Sequence, residues 1–108
     1  MTDMIIMYIT CESAAEATKI GTHLLQKRLC GCINIYEGMR SLYFWPPKTG
    51  KLEKANETVL LVKTISSKFD AIEKEVMKLH SSDTPCMIAI PAAKVSKEYY
   101  DWIKEEIR

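Results

Sequence analysis

The chain has almost no charge imbalance, no long apolar run and no catalytic signature, and each absence narrows what it can be. Fifteen Lys and Arg face fourteen Asp and Glu, for a formal net charge of +1 over 108 residues. A surface so balanced carries no electrostatic footprint for nucleic acid or an anionic bilayer. Nothing approaches the roughly 18 consecutive apolar residues that a membrane-spanning helix needs. Met1-Thr2-Asp3-Met4 lacks the cationic n-region of a signal peptide, and no small-residue cleavage site follows the short apolar run Ile5–Ile9. A cytoplasmic protein is therefore expected, with neither nucleic acid nor membrane as partner. Nucleophile-elbow, P-loop, dinucleotide-binding and zinc-protease motifs are all missing. No catalytic residue is proposed, and a non-enzymatic role is expected.

The 47% of hydrophobic residues suffices for one core in a single domain spanning residues 1–108. Cysteine is present at positions 11, 30, 32 and 86, but Cys30-Gly31-Cys32 is a C-x-C and not the C-x-x-C of zinc or redox motifs. In a reducing compartment such thiols behave as small buried hydrophobes.

The elements follow one another closely. Ile5 to Thr10 reads as a strand whose unbroken apolarity suits a central position. Ser13 and Glu16 have capping-box spacing, with the Ser13 hydroxyl accepting from the Glu16 amide and Glu16 reaching back to the Ser13 amide. Ala17, Ile20, Gly21, Leu24 and Leu25 then line one helix face, and Gly31 is the expected stop. Ile33 to Trp45 is rich in β-formers, with Glu37-Gly38 marking a bulge and Pro46 to Gly50 a hairpin tip. The return strand is clearest at Thr58–Thr64. Ser67 opens a second helix with Phe69, Ile72, Val76 and Leu79 on its apolar face, as far as His80. Cys86–Ile90 is a short strand. Ser96 caps a last helix that turns Tyr99, Trp102, Ile103 and Ile107 inward. The order β-α-β-β-α-β-α is that of an α+β, ferredoxin-like split β-α-β sandwich. Its middle hairpin runs from about residue 32 to residue 65, so each arm exceeds the usual five or six residues. Arms that overhang their own domain leave backbone groups and apolar rings in need of another subunit.

Five strings, in order, resemble the CutA family. They are Lys27-Arg28-Leu29-Cys30-Gly31-Cys32-Ile33-Asn34; Ser41 to Trp45 followed by Gly50-Lys51-Leu52-Glu53; Glu57 with Leu60 to Thr64; His80 to Ile88; and Ser96-x-x-Tyr99-x-x-Trp102. The resemblance implies a homotrimer whose long hairpins form inter-subunit sheets, similar in plan to the PII signalling proteins. It also implies a link to tolerance of divalent cations, copper among them, without a settled catalytic activity. Two departures stand out. The tip Pro46-Pro47-Lys48-Thr49-Gly50 is longer than the family's, and H-P-Y-E-x-P-E has become His80 to Cys86. Copper-binding bacterial members use a first-strand Cys and two adjacent His. The matching positions here are Ile9, Leu79 and His80, of which only His80 keeps a donor.

His80, Asp83 and Cys86 offer imidazole, carboxylate and thiolate at a spacing that fits a helix end running into a loop, a donor set for a divalent ion such as copper. Dipole complementation, a turn and simple packing explain the same three residues. Lys63, in an otherwise apolar strand, can hold an anion or a carboxylate such as Glu57 in an inter-subunit cleft, or end a half-exposed strand. Tyr43, Trp45, Tyr99 and Trp102 are either walls of such a cleft or packing anchors. His23 is read as a surface residue. The leading expectation is a trimeric divalent-metal tolerance protein that binds metal or a small ligand between subunits. Its rivals are a PII-like sensor or scaffold for an anionic ligand or partner protein, and an enzyme using Lys63, His80 and Asp83.

Overall fold

Alternation of apolar side chains builds the sheet, and a period near 3.6 builds the helices packed on it. The protein is described by a computed structural model covering residues 2–108. The strands are β1 (Met4–Cys11), β2 (Cys32–Phe44), β3 (Leu52–Ile65) and β4 (Met87–Pro91). The helices are α1 (Ala14–Gln26), α2 (Phe69–Leu79) and α3 (Lys97–Glu106), with a 3-10 turn at Ser66–Lys68 leading into α2. The sheet order is β2-β3-β1-β4, antiparallel throughout. This is the expected ferredoxin-like arrangement. None of the described helices is long and apolar enough to cross a membrane.

Met7, Ile9 and Cys11 of β1 and Leu60 and Val62 of β3 face the helices and are fully buried. They meet Ile20 and Leu24 of α1 and Ile72 and Val76 of α2 in one core. The opposite face carries Ile88 and Ile90 of β4, about half exposed, and Tyr36 of β2 at 72% exposure. The helix α3 packs against β3 and leaves these three residues open. The hairpin has arms of 13 and 14 residues, and the molecule is 46 Å long against 27 and 24 Å across. The expected bulge lies between Tyr36 and Met39, with Gly38 at φ +83°. The tip closes through Trp45 N–H donating to Lys51 C=O at 3.0 Å.

Several local expectations are corrected. Gly31 does not stop α1. The helix ends at Gln26, and Arg28 takes the left-handed conformation at φ +59°. Arg28 N–H then donates to Leu25 C=O and Leu29 N–H to Leu24 C=O, the paired bonds of a Schellman turn. Gly31 is needed elsewhere: a Cβ there would lie 2.8 Å from Ile103 Cδ1 and 3.2 Å from its Cα. Neither Ser67 nor Ser96 makes a side-chain cap; α2 is entered through the 3-10 turn instead. Trp102 is 45% exposed, so of the last helix's inward face Ile103 is the buried anchor.

His23 is no free surface residue. Its Nε2 lies 2.8 Å from Glu75 Oε1, tying α1 to α2. Lys78 and Lys27 reach the same carboxylate at 2.9 and 3.3 Å. The His23 and Lys78 hydrogen bonds hold the Glu75 carboxyl down at about 2.

Two outcomes follow from this packing. Gly31→Ala should lower stability by about 1–3 kcal/mol in chemical denaturation, since the α3 backbone must retreat. A carboxyl with a lowered folded pKa stabilises fully above its unfolded value and loses that contribution as pH falls towards the folded one. Acid unfolding should therefore steepen between about pH 4.5 and pH 2, and Glu75→Gln should flatten that limb.

Candidate functional site

A cleft of about 630 Å³ opens between the hairpin and the loop after α2. Tyr43, Trp45 and Glu57 form the hairpin wall, and His80, Pro85 and Cys86 the loop wall. Thr10 and Glu12 line it from the end of β1. The β1–β3 register makes this possible, because Cys11 pairs with Thr58 and sets Glu57 beside the end of β1. Thr10 N–H donating to Cys86 C=O at 3.3 Å brings the loop to the same place. Among the described residues the lining's carboxylates are Glu12 and Glu57, and no Lys or Arg contributes. The cleft thus presents negative charge, aromatic walls, an imidazole and a thiol. Burial, with Glu57 adding to it, pushes the Cys86 thiol upward.

Of the candidate residues, Tyr43, Trp45, Glu57, His80 and Cys86 meet here. Lys63, Tyr99 and Trp102 form a second group. Lys63 Nζ lies 5.6 Å from the Tyr99 ring centre, and the Tyr99 and Trp102 rings meet at 5.8 Å, tilted by 42°. Within one chain Lys63 and Glu57 stand apart, since six residues along a strand span roughly 20 Å. Asp83 is exposed and neither lines the cleft nor joins the donor set beside His80. Ile9 is fully buried and Leu79 packs against the core, so two of the three positions matched to copper donors are apolar here and His80 is the third.

Behind the loop wall lies a grouping the linear pattern did not reveal. Cys11, Glu16 and His80 each place one ligand atom within 4.8 Å of the others. Glu16 occupies its capping position, and its amide donates the expected bond to Ser13 Oγ at 3.1 Å. Its carboxylate, however, accepts from the Glu12 amide at 3.0 Å instead of the Ser13 amide. The other oxygen accepts from the Ser81 amide at 2.9 Å. Burial pulls this carboxyl up, but the Glu12 and Ser81 amides and nearby His80 outweigh it and hold it below its ordinary value.

His80 caps α2, and its ring is committed at both nitrogens. Ser82 N–H donates to Nδ1 at 3.0 Å, so the proton sits on Nε2 and is donated to Thr10 C=O at 2.7 Å. Nε2 lies 3.8 Å from Glu16 Oε1. Burial, followed by Glu16 and Glu57, pushes the Cys11 thiol up to about 12. Cys30 is likewise buried and raised to about 12. Sequence spacing signalled Glu16 only as a cap, and Cys11 lies 69 positions from His80.

Fold and cleft define a ferredoxin-like α+β protein with an overlong hairpin and an acidic cleft at its base. The model of the CutA1 divalent ion tolerance proteins matches residues 5–106, and the chain belongs to that family. A divalent-cation tolerance protein CutA from Archaeoglobus fulgidus is 43% identical over 101 residues, covering 94% of this chain and 95% of the relative. The solved structure of CutA from that organism, described as periplasmic, superposes with a TM-score of 0.91 at 41% identity over 97% of this chain and 99% of that one. CutA from Xylella fastidiosa superposes at 0.93 with 32% identity, over 99% and 100% of the two chains. The resemblance in the five strings is thereby borne out.

Glu16→Ala should free the Ser81 and Glu12 amides and cost about 0.5–2 kcal/mol, as lost caps do. Hydrogen exchange measured residue by residue should rise at Ser81 and Glu12 while the Leu60 and Val62 amides stay protected.

Proposed function

We propose that this chain serves divalent-cation tolerance by holding a divalent ion in the cleft, as a homotrimer without catalytic turnover. The observation that carries this reading is the lining charge: Glu12 and Glu57 face the space and no Lys or Arg does. A negative, partly enclosed cleft concentrates cations and repels anions. Its imidazole and thiol favour borderline ions over magnesium or calcium, and copper(II) heads the affinity order of the first-row divalent ions. Support for self-association comes from the open apolar face and from Leu42 and Phe44, exposed on the hairpin at 62% and 68%. Such a surface is a natural contact for another copy of the chain.

The anionic-ligand reading has one cation in its favour, Lys63, which stands over Tyr99 away from this cleft. An enzyme built on Lys63, His80 and Asp83 gains no support, because the three belong to different surroundings.

Calorimetric titration with copper(II), zinc(II) and ATP, run beside a native mass measurement, tests the reading. Copper should bind a trimer, and Glu57→Gln should weaken it by roughly tenfold, equivalent to about 1.4 kcal/mol. A stable monomer at micromolar concentration, or tight ATP binding with indifference to both metals, would overturn it.

A further inference from the structure

We propose that Cys11, Glu16 and His80 form an inner site for a borderline divalent ion of the zinc type, and that filling it releases the loop at 81–85. The proposal rests on the cation reading of the cleft, since His80 is the member of the three that lines it.

Three separate elements bring the donors together: the end of β1, the first turn of α1 and the C-cap of α2. Their ligand atoms lie within 4.8 Å of one another. Tetrahedral zinc, with bonds of about 2.0–2.3 Å, wants them roughly 3.5 Å apart. The Glu16–His80 edge at 3.8 Å is already close to that. The side chains of His80 and Glu16 are 4% and 10% exposed, and Cys11 is fully buried. Hydrogen bonds explain Glu16 and His80 but leave the Cys11 sulfur without a polar partner among the described residues. A thiolate, a carboxylate and an imidazole make a donor set for zinc and its neighbours, whereas magnesium and calcium want oxygen.

The same geometry couples the site to the loop. On binding, Cys11 gives its S–H proton to solvent and the thiolate takes the metal. His80 presents the Nε2 lone pair, and its proton moves to Nδ1. Thr10 C=O then loses its donor. Nδ1–H now faces Ser82 N–H, donor against donor, where a 3.0 Å bond stood. Turning Glu16 to the metal also draws it from the amides of Glu12 and Ser81. The segment that carries the cleft wall loses its fastenings at one stroke. A metal must bind strongly enough to displace them, which selects for thiophilic ions.

The test is cobalt(II), then zinc(II), added to the full-length protein under reducing conditions. Cobalt should bring a thiolate charge-transfer band in the near ultraviolet, and zinc should abolish it while speeding amide exchange at Ser81 and Ser82. With Cys86→Ser in the background to remove the cleft thiol, Cys11→Ser should remove the band and weaken zinc by at least the roughly 10- to 100-fold that losing a mere outer-sphere partner costs. A chain carrying Cys30→Ala, Cys32→Ser and Cys86→Ser, with Cys11 as its lone thiol, should keep the band. Loss of the band in that chain overturns the inner site. So does its survival when Cys11→Ser is added to Cys86→Ser; if Glu57→Gln then weakens copper, the cleft reading stands alone. Binding through Cys11 with unchanged exchange at Ser82 overturns the loop release. Indifference of the wild-type protein to cobalt, zinc and copper overturns both readings.

Discussion

The antiparallel ladder between β1 and β3 is the constraint on which everything else hangs. Its register runs without a break from Met4 opposite Ile65 to Cys11 opposite Thr58. It joins the two β-α-β halves and buries Met7, Ile9, Leu60 and Val62 on one face. A slip of one residue would turn that set to the other side of the sheet and carry the polar alternates inward. The same register brings Glu57 beside the end of β1, where the loop entering β4 also arrives. Core and cleft are thus two results of one alignment.

Around the end of β1, satisfaction of polar groups and readiness to bind are in competition. Glu16 and His80 are buried enough that every hydrogen bond they make has value, and together they fasten Glu12, Thr10, Ser81 and Ser82. A buried corner so connected gives its loop a single resting position. The buried thiol of Cys11 beside it stands outside that network. Cys86, by contrast, meets the cleft directly, next to the carboxylate of Glu57.

Element order, hairpin span and bulge were legible in the chain because each rests on local patterns: alternation, helical spacing, a Gly beside an unpaired residue. The Ser13 cap was legible for the same reason. Contacts between distant segments were not. His23 reads as polar among polar neighbours until α2 brings Glu75 against it. Gly31 reads as a helix stop, whereas its lack of a side chain serves the approach of Ile103 from the far end of the sequence. Arg28 in a left-handed turn has no local advertisement at all, since Gly or Asn is the usual occupant. Its ion pair with Glu106 at 2.6 Å ties that turn to α3. For the site, residue type was a fair guide to the aromatic and acidic cleft wall. It could not pair Cys11 with His80, because the end of β1 and the C-cap of α2 meet only through tertiary packing.

The long hairpin leaves its outer rungs, Ser41 to Phe44 against Leu52 to Ala55, with only each other for backbone partners inside one chain. A ladder two strands wide can breathe at its far end without disturbing the helices behind it. Changes of length at such an end are absorbed where they occur, which is how a five-residue stretch from Pro46 to Gly50 is accommodated beyond a closed Trp45–Lys51 rung. The distal turn is therefore the part of this fold freest to diverge in evolution, and a natural place to graft a foreign peptide.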